Sequence, residues 1–376
     1  MKKTIIYFVS EDWYFYSHRL PIARAAYNKG FKVVVATRIH KHEDLIKSEG
    51  FELYPISINR GSLNPLSDIK TIVSLYKCYK KYNPDIVHQV AIKPVIYGTL
   101  VARLIGSIKI VNAITGLGFV FVSDSIKAKI IRVFIHKMFR SLFNKKNLSL
   151  ILQNKDDLHY FVSNNLIDKN RISVIRGSGV NIDKFINSKI EKPIQPTVML
   201  ASRMLWDKGV GEFAEAAKII KQQGLNIRFV LVGGADPENP ASISIEQLNK
   251  WTSNEVLEYW GKRDDMMQIL NQSSIVCLPS YREGLPKVLL EAASCEIPII
   301  TTDVPGCREV VDNGKNGILV LPKDVDSVVA AIKYLLKNPN LMKSMGKKGR
   351  DIVERNFSQE IVISKTLLLY QEILKS

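Results

Sequence analysis

The sequence predicts an α/β protein built from two doubly wound domains, and three observations predict it. Strand-like apolar runs alternate with helical periodicity from end to end, 376 residues exceed one typical core, and a charged, proline-flanked break interrupts the pattern at 186–196. In the first half the runs are IIYFV, FKVVVAT, DIVHQ, KIVNAI, LSLILQ and RISVI. In the second they are TVMLAS, IRFVLVGG, VLEYWG, SIVCLP and IPIITT. Such alternation gives parallel sheets covered by helices, with ligands bound outside the carboxyl ends of the strands. Two sheets of this kind facing each other would make a cleft. The break INSKIEKPIQP, with Pro193 and Pro196, divides the chain into residues 1–185 and 186–357.

The opening MKKTIIYFVSED mimics a signal peptide, but six apolar residues before Glu11 and Asp12 read as a first strand. The longest apolar stretch, IVNAITGLGFVFV at 110–122, falls short of the roughly 20 residues of a membrane span and contains turn glycines. Cys78, Cys277, Cys295 and Cys307 lack metal or C-x-x-C spacing and read as reduced structural thiols of a cytosolic protein. Charge is distributed unequally: residues 1–190 hold 30 Lys+Arg against 13 Asp+Glu, whereas 191–376 hold 23 of each. A basic first half implies an anionic partner: a membrane surface, a lipid pyrophosphate or nucleic acid.

The segment VCLPSYREGLPKVLLEAASCEIP at 276–298 carries the sharpest chemical signal. Ile275–Leu278 reads as a buried strand, Pro279–Gly284 as a turn, and Pro286 as the first position of a helix running to Cys295. Glu283 then stands ahead of the helix and Glu291 within it. A helical rise of about 1.5 Å per residue separates the two carboxylates by about 10 Å along the axis. Glycosidase pairs stand about 5–9.5 Å apart around one bond, so this spacing suits two contacts on one extended ligand instead. Backbone N–H groups at the helix start favour phosphate, and a nucleotide sugar has that shape and charge.

With its companions, this segment resembles the E-x7-E signature of the retaining nucleotide-sugar glycosyltransferases of family 4. The companions follow in order: Arg203 and Lys208 in ASRMLWDKGV, the LVGG turn at Gly233 and Gly234, the GKRDD turn from Gly261 to Asp265, and PGCREVVDNGKNGILV at 305–320. The resemblance implies the GT-B fold, two Rossmann-like domains, with the final helix at 358–376 crossing back to the first. It assigns Arg203 and Lys208 to the donor phosphates, Glu283 to the donor-sugar hydroxyls and Glu291 to the ribose. Gly284, Leu285 and Pro286 then bring backbone close to sugar and phosphate. The 260–264 turn, with Gly261 and Arg263, contacts the base, and uridine is the family's commonest choice. Gly233 and Gly234, which lack a Cβ, are read as close backbone approach to the donor.

Transfer requires stabilisation of charge on the leaving diphosphate, by fixed cations or by a metal. Arg203 and Lys208 leave the loop after a ligand-facing strand end and would supply it. No D-x-D lies among strand residues, and Asp264–Asp265 read as a helix cap. The expectation is no cofactor, and no metal in the chemical step.

The first half departs from the family where many members carry a glycine-rich loop. It has SEDWYFYSHRLP instead, which with RGSLNPL at 60–66 and TGLGFVF at 115–121 resembles the subset that extends lipid-linked oligosaccharides in bacterial surface-polysaccharide and glycoprotein pathways. His18 and Arg19 are candidates for acceptor or donor phosphate, with pairing of Arg19 to a surface carboxylate as the alternative. Gly116, Leu117 and Gly118 follow a strand and would present backbone N–H groups. Where members often place a histidine, this chain has Ile114–Thr115–Gly116, so no catalytic imidazole carries over. His88 is the nearest strand-end histidine and is kept as a candidate beside a structural reading.

Residues 125–155 contain eight Lys+Arg and no acid. Lys129, Arg132, His136 and Arg140 share one helical stripe, beside a broad apolar arc that includes Phe134 and Phe139. Such a helix suits an anionic membrane interface, or else an ordinary core-facing position with a basic edge.

These readings converge on a cytoplasmic enzyme, peripheral on the inner face of the cell membrane. It would move an N-acetylhexosamine or hexose from a UDP-sugar to a polyprenyl-diphosphate-linked saccharide. One rival is the same fold with a soluble acceptor or epimerase chemistry, which a sugar-product assay separates. Another is a basic nucleic-acid-binding protein. The chain lacks a recognised motif for that function, and no nucleic-acid partner is expected.

Overall fold

The computed structural model describes residues 2–59, 65–117, 121, 125–144, 147–188 and 195–375, with Lys127 by its backbone alone. The chain divides into one compact unit of residues 1–178 and 360–376 and a second of 179–359.

The first unit begins β1 (Thr4–Glu11), α1 (Asp12–His18), α2 (Leu20–Asn28), β2 (Lys32–Arg38), α3 (Glu43–Lys47) and β3 (Glu52–Pro55). It continues α4 (Pro65–Tyr82), β4 (Ile86–Val90), α5 (Ile92–Ile105), β5 (Lys109–Ile114) and α6 (Ile126–Leu142). Then follow β6 (Leu148–Leu152), α7 (Lys155–Ser163) and β7 (Ile172–Val174). All seven strands are parallel, in the order β3-β2-β1-β4-β5-β6-β7. β4 is buried along its whole length, as a parallel strand covered on both faces must be. One face of the sheet packs on α4–α7 through Leu75, Val95, Phe139 and Phe161. The other packs on α1–α3 through Phe15, Ala23 and Ile46.

The second unit runs β8 (Thr197–Ala201), α8 (Val210–Gln222), β9 (Arg228–Val232), α9 (Ile245–Ser253), β10 (Glu258–Tyr259), α10 (Met266–Asn271) and β11 (Ile275–Leu278). After these come α11 (Lys287–Ser294), β12 (Ile299–Thr302), α12 (Cys307–Val310), β13 (Gly317–Val320), α13 (Val325–Lys337) and α14 (Pro339–Asn356). Its six parallel strands are ordered β10-β9-β8-β11-β12-β13, so β8 and β11 are central neighbours. The final helix, α15 (Gln359–Lys375), packs Val362, Leu369, Tyr370 and Ile373 on the α1–α3 face of the first sheet.

The division falls at Ser178/Gly179, seven residues before the proline-flanked break. Val180 and Phe185 are buried in the core of the second unit, and Arg350 Nη1 donates to the carbonyls of Ile182 and Phe185 at 2.9 and 2.8 Å. The charged break, whose residues 189–194 lie outside the described residues, therefore falls within the second unit. All four cysteines are buried, and none forms a disulfide.

Candidate active site

The elements that carry the second-unit candidates end at one edge of that sheet. After β8, a 3-10 turn at Trp206–Lys208 leads into α8, and the Asp207 carbonyl accepts Tyr281 N–H at 2.9 Å and Ser280 Oγ–H at 3.1 Å. Gly209 closes this turn at φ +72°, where a Cβ would lie 2.1 Å from the Pro279 carbonyl oxygen. Only glycine allows that contact without displacement. The β8 turn is thereby fastened to the β11–α11 loop, and Lys208 Nζ reaches Glu283 Oε1 at 2.5 Å. Their side chains are 16 % and 11 % exposed, so the pair is partly desolvated but open to a ligand. Glu283 is held from behind, its N–H donating to Pro305 O at 3.2 Å.

Beyond Glu283, Gly284 is buried and Leu285 turns its side chain toward the core, leaving only its backbone for a ligand. Pro286 is the N-cap (φ −74°, ψ 109°) and Lys287 the first helical residue, one position later than the sequence pattern indicated. Glu291 lies in α11, 7 % exposed, with Lys287 Nζ 3.4 Å from its carboxylate. Burial pushes its pKa up, against the opposing pull of Lys287 and Lys184.

The other cation, Arg203, pairs through Nη1 with Asp236 Oδ2 at 2.5 Å. Around it the strand ends are stitched by Met204 N–H to Gly234 O at 2.9 Å and Gly233 N–H to Gly261 O at 2.8 Å. At φ +135°, a Cβ at Gly233 would be 1.7 Å from Ser202 O, so the protein's own β8 turn already demands glycine there. Gly234 meets nothing nearer than Lys262 Cβ at 3.9 Å, and Gly261 nothing within 4 Å. Arg263 makes two bonds to Asp265, at 2.9 and 2.7 Å. Asp265 occupies the N-cap of α10, but its side chain serves Arg263 instead of capping.

The first-unit candidates separate into two groups. His18 ends α1, with Nδ1 2.7 Å from Ser17 Oγ and its ring stacked on Tyr14 at 4.4 Å. Arg19 joins α1 to α2 and is 3 % exposed, which removes the surface ion-pair reading; its buried Nε has no hydrogen-bond partner among the described residues. Gly116 follows β5 at φ +139°. Leu117 is buried in the core, so only its backbone can face a ligand, and Gly118 lies outside the described residues.

His88 is corrected to a structural role. It sits inside β4, fully buried beside its register partner Tyr7, with Nδ1 2.5 Å from the Tyr370 hydroxyl. That hydroxyl donates to Tyr7 Oη at 3.1 Å, tying α15 to the sheet. Burial, reinforced by the charge of Arg19, holds the imidazole well below its usual pKa and therefore neutral. Tyr370→Phe is expected to lower stability by about 1–3 kcal/mol, because it strands buried polar groups. The check is a lower urea midpoint with nucleotide binding by the second unit unchanged.

The reading of α6 also needs correction. Phe139 is fully buried, stacked on Phe143 at 4.8 Å and on Phe161 at 5.6 Å, and cannot touch a membrane. His136 Nε2 lies 2.9 Å from the Tyr160 hydroxyl, Arg140 donates to Asn164 O at 2.9 Å, and Arg132 lies over the Phe121 ring. The basic stripe therefore leans along the protein. The outward face carries Lys129 and Phe134, the latter 63 % exposed.

Two carboxylates at the end of β1 escaped the motif reading. Glu11 pairs with Arg38 Nη2 and His40 Nε2, each at 3.0 Å. Asp12 accepts the backbone N–H groups of His40 and His42 at 2.6 and 3.0 Å. Burial opposes ionisation of Asp12, but backbone donors from His42, His40 and Trp13 outweigh it and hold the carboxyl below its ordinary range. Asp236 was missed too, since only the chain's path brings it to Arg203.

Two parallel, doubly wound α/β units are the architecture of the GT-B class, and in the second unit cations pair with carboxylates at the strand ends. The chain matches the family description "Glycosyl transferases group 1" over residues 181–352 and "Glycosyl transferase 4-like" over 4–154; it belongs to these group 1, family 4-like glycosyltransferases. It is 29 % identical over 376 residues, 96 % of each chain, to the N,N'-diacetylbacillosaminyl-diphospho-undecaprenol alpha-1,3-N-acetylgalactosaminyltransferase of Campylobacter jejuni. It is 28 % identical to the UDP-Gal:alpha-D-GlcNAc-diphosphoundecaprenol alpha-1,3-galactosyltransferase of Escherichia coli, over 83 % of this chain and 82 % of that one. Its fold also matches sucrose-phosphate synthase from Thermosynechococcus elongatus, with a TM-score of 0.82, 18 % identity and complete coverage of both chains.

Proposed function

We propose that this enzyme transfers an N-acetylhexosamine or hexose from a UDP-sugar to a polyprenyl-diphosphate-linked saccharide, with retention at the anomeric carbon and without a metal in the chemical step. The observation that carries the reading is the 2.5 Å Lys208–Glu283 pair, fastened between the β8 turn and the β11–α11 loop. A sugar and its diphosphate meet at one bond, and here a carboxylate for hydroxyls and a cation for phosphate stand side by side. In this reading Glu291, farther along α11, takes the ribose hydroxyls and Arg203 is the second cation. The acceptor class is supported by the undecaprenyl-diphosphate substrates in the names of the Campylobacter and Escherichia relatives.

In this mechanism the bond from the anomeric carbon to the diphosphate oxygen breaks while the acceptor oxygen bonds the same face. The acceptor proton passes to the departing phosphate oxygen, and UDP leaves. Lys208 and Arg203 stabilise the growing phosphate charge, and the protein contributes orientation rather than a strong base. His88, neutral and buried, has no access to the reaction. An inner-face, peripheral location follows from the acceptor class, and no helix among the described residues is long and apolar enough to cross a membrane.

Nuclear magnetic resonance of the product linkage tests retention, with an α-configured donor expected to give an α product. Chelation of divalent ions during transfer is expected to leave the rate within about twofold, because fixed cations carry the leaving-group charge. Inversion would overturn the same-face mechanism, and a large loss rescued by added Mg²⁺ would overturn the metal-free one.

A further inference from the structure

We propose that the whole outer surface of the α4–α5–α6 layer, not α6 alone, is a docking face for an anionic bilayer leaflet. Leu75 and Tyr79 of α4, Val95 and Val101 of α5, and Ile135 and Phe139 of α6 pack into one core cluster on one face of the first sheet. α5 packs against both neighbours, so the opposite sides of all three helices point away from the sheet together.

That outward surface is unusually apolar. On α4, Leu66, Ile69, Val73 and Tyr76 are 72, 55, 49 and 40 % exposed. Their spacing of three, four and three places them in one stripe. On α6, Ile126, Ile130, Val133 and Phe134 are 78, 66, 57 and 63 % exposed, and Leu104 of α5 is 68 % exposed. Exposed large apolar residues of the second unit are scattered over separate elements, so this clustering is particular to the layer.

The charge identifies the occupant. Together α4, α5 and α6 contain eleven Lys and Arg and a single acid, Asp68, which pairs with Lys93 at 3.4 Å. Exposed lysines alternate with the apolar residues on both outer helices: Lys70, Lys77 and Lys80 on α4, and Lys129 and Lys137 on α6. Protein–protein interfaces are depleted of lysine, whereas lysines flanking a shallow apolar stripe extend to lipid phosphates while their stems lie in the headgroup region. The apolar stripe of α4 and the apolar face of α6 both begin at the N-terminal ends of their helices. Helices of a parallel sheet start at the carboxyl edge of the strands, so this surface reaches toward the edge where ligands bind. The inference rests on the lipid-linked acceptor proposed above and extends it to the surface that meets the lipid.

The test is co-sedimentation of the full-length protein with vesicles of phosphatidylglycerol and phosphatidylcholine, beside pure phosphatidylcholine. The urea unfolding midpoint of each variant serves as the folding control. Wild-type protein is expected to bind the anionic vesicles. Ile69→Glu/Val73→Glu, confined to α4, and Lys77→Glu/Lys80→Glu on the same helix are each expected to weaken that binding at least tenfold, with the urea midpoint unchanged. Ile130→Glu/Phe134→Glu gives the α6 comparison. If both α4 variants bind vesicles as wild type does while the α6 variant fails, docking belongs to α6 alone and the inference is overturned. It is likewise overturned if wild type ignores anionic vesicles and self-associates through α4. Continued transfer to a water-soluble short-chain polyprenyl-diphosphate saccharide would then leave the proposed reaction standing.

Discussion

Glu291→Gln is expected to weaken binding of the nucleotide and its sugar by tenfold to a hundredfold while raising the melting temperature at pH 8. Both effects come from the same burial. A carboxylate bonded to two ribose hydroxyls contributes hydrogen bonds worth about 1.5–3 kcal/mol because the acceptor is charged. The same group is 7 % exposed, and its folded pKa is raised by burial. Between the unfolded and folded pKa values the native state holds more protons than the unfolded chain, so stability falls as pH rises through that window. Glutamine removes the buried charge and with it that slope. The stability gain should be greatest above the folded pKa and vanish below the unfolded one. Calorimetric titration with UDP and thermal melts at several pH values read the two effects separately. Unchanged UDP affinity would remove Glu291 from the donor site.

Lys208→Ala is expected to lower kcat by a hundredfold to a thousandfold, about 2.7–4 kcal/mol of lost transition-state stabilisation, with a smaller change in UDP affinity. The Lys208 ammonium meets a diphosphate whose charge grows as the anomeric bond breaks, so its contribution is larger in the transition state than in the ground state. Removing it also leaves Glu283 without its 2.5 Å partner, and stranding one member of a partly buried pair is destabilising in itself. The double variant Lys208→Ala/Glu283→Ala separates the causes. Stability recovers if pairing accounts for the loss, whereas transfer stays low because both substrate contacts are gone. Recovery of rate in the double variant would make Lys208 a structural residue.

The fold was legible because parallel strands buried on both faces are written as continuous β-branched runs, and each of the eleven runs became a strand. β3 escaped because ELYP lies at the sheet edge, half exposed and carrying both Glu52 and Pro55. The segment 276–298 was legible because its chemistry is local: strand, turn and helix follow directly along the chain. Through-space partners were not. Nothing in the sequence brings Asp236 to Arg203, and the demand for glycine at position 233 comes from Ser202, thirty-one residues earlier. Periodicity placed the basic stripe of α6 correctly on one side of the helix, yet could not tell which side faces α7. The apolar arc was wider than the sheet could cover, so Phe139 entered the core and Phe134 stayed outside. The apolar stripe of α4 is interleaved with four lysines, which breaks up its apolar pattern along the sequence.

The most direct test of the central claim incubates the purified full-length enzyme with a panel of UDP-hexoses and UDP-N-acetylhexosamines and two acceptors, an undecaprenyl-diphosphate-linked saccharide and the same saccharide released from its lipid. Mass spectrometry should find the lipid-linked acceptor extended by one sugar from one donor, with UDP released in equal amount and the free saccharide a far poorer substrate. Equal extension of the free saccharide, or conversion of the donor to an epimer without transfer, would contradict the account.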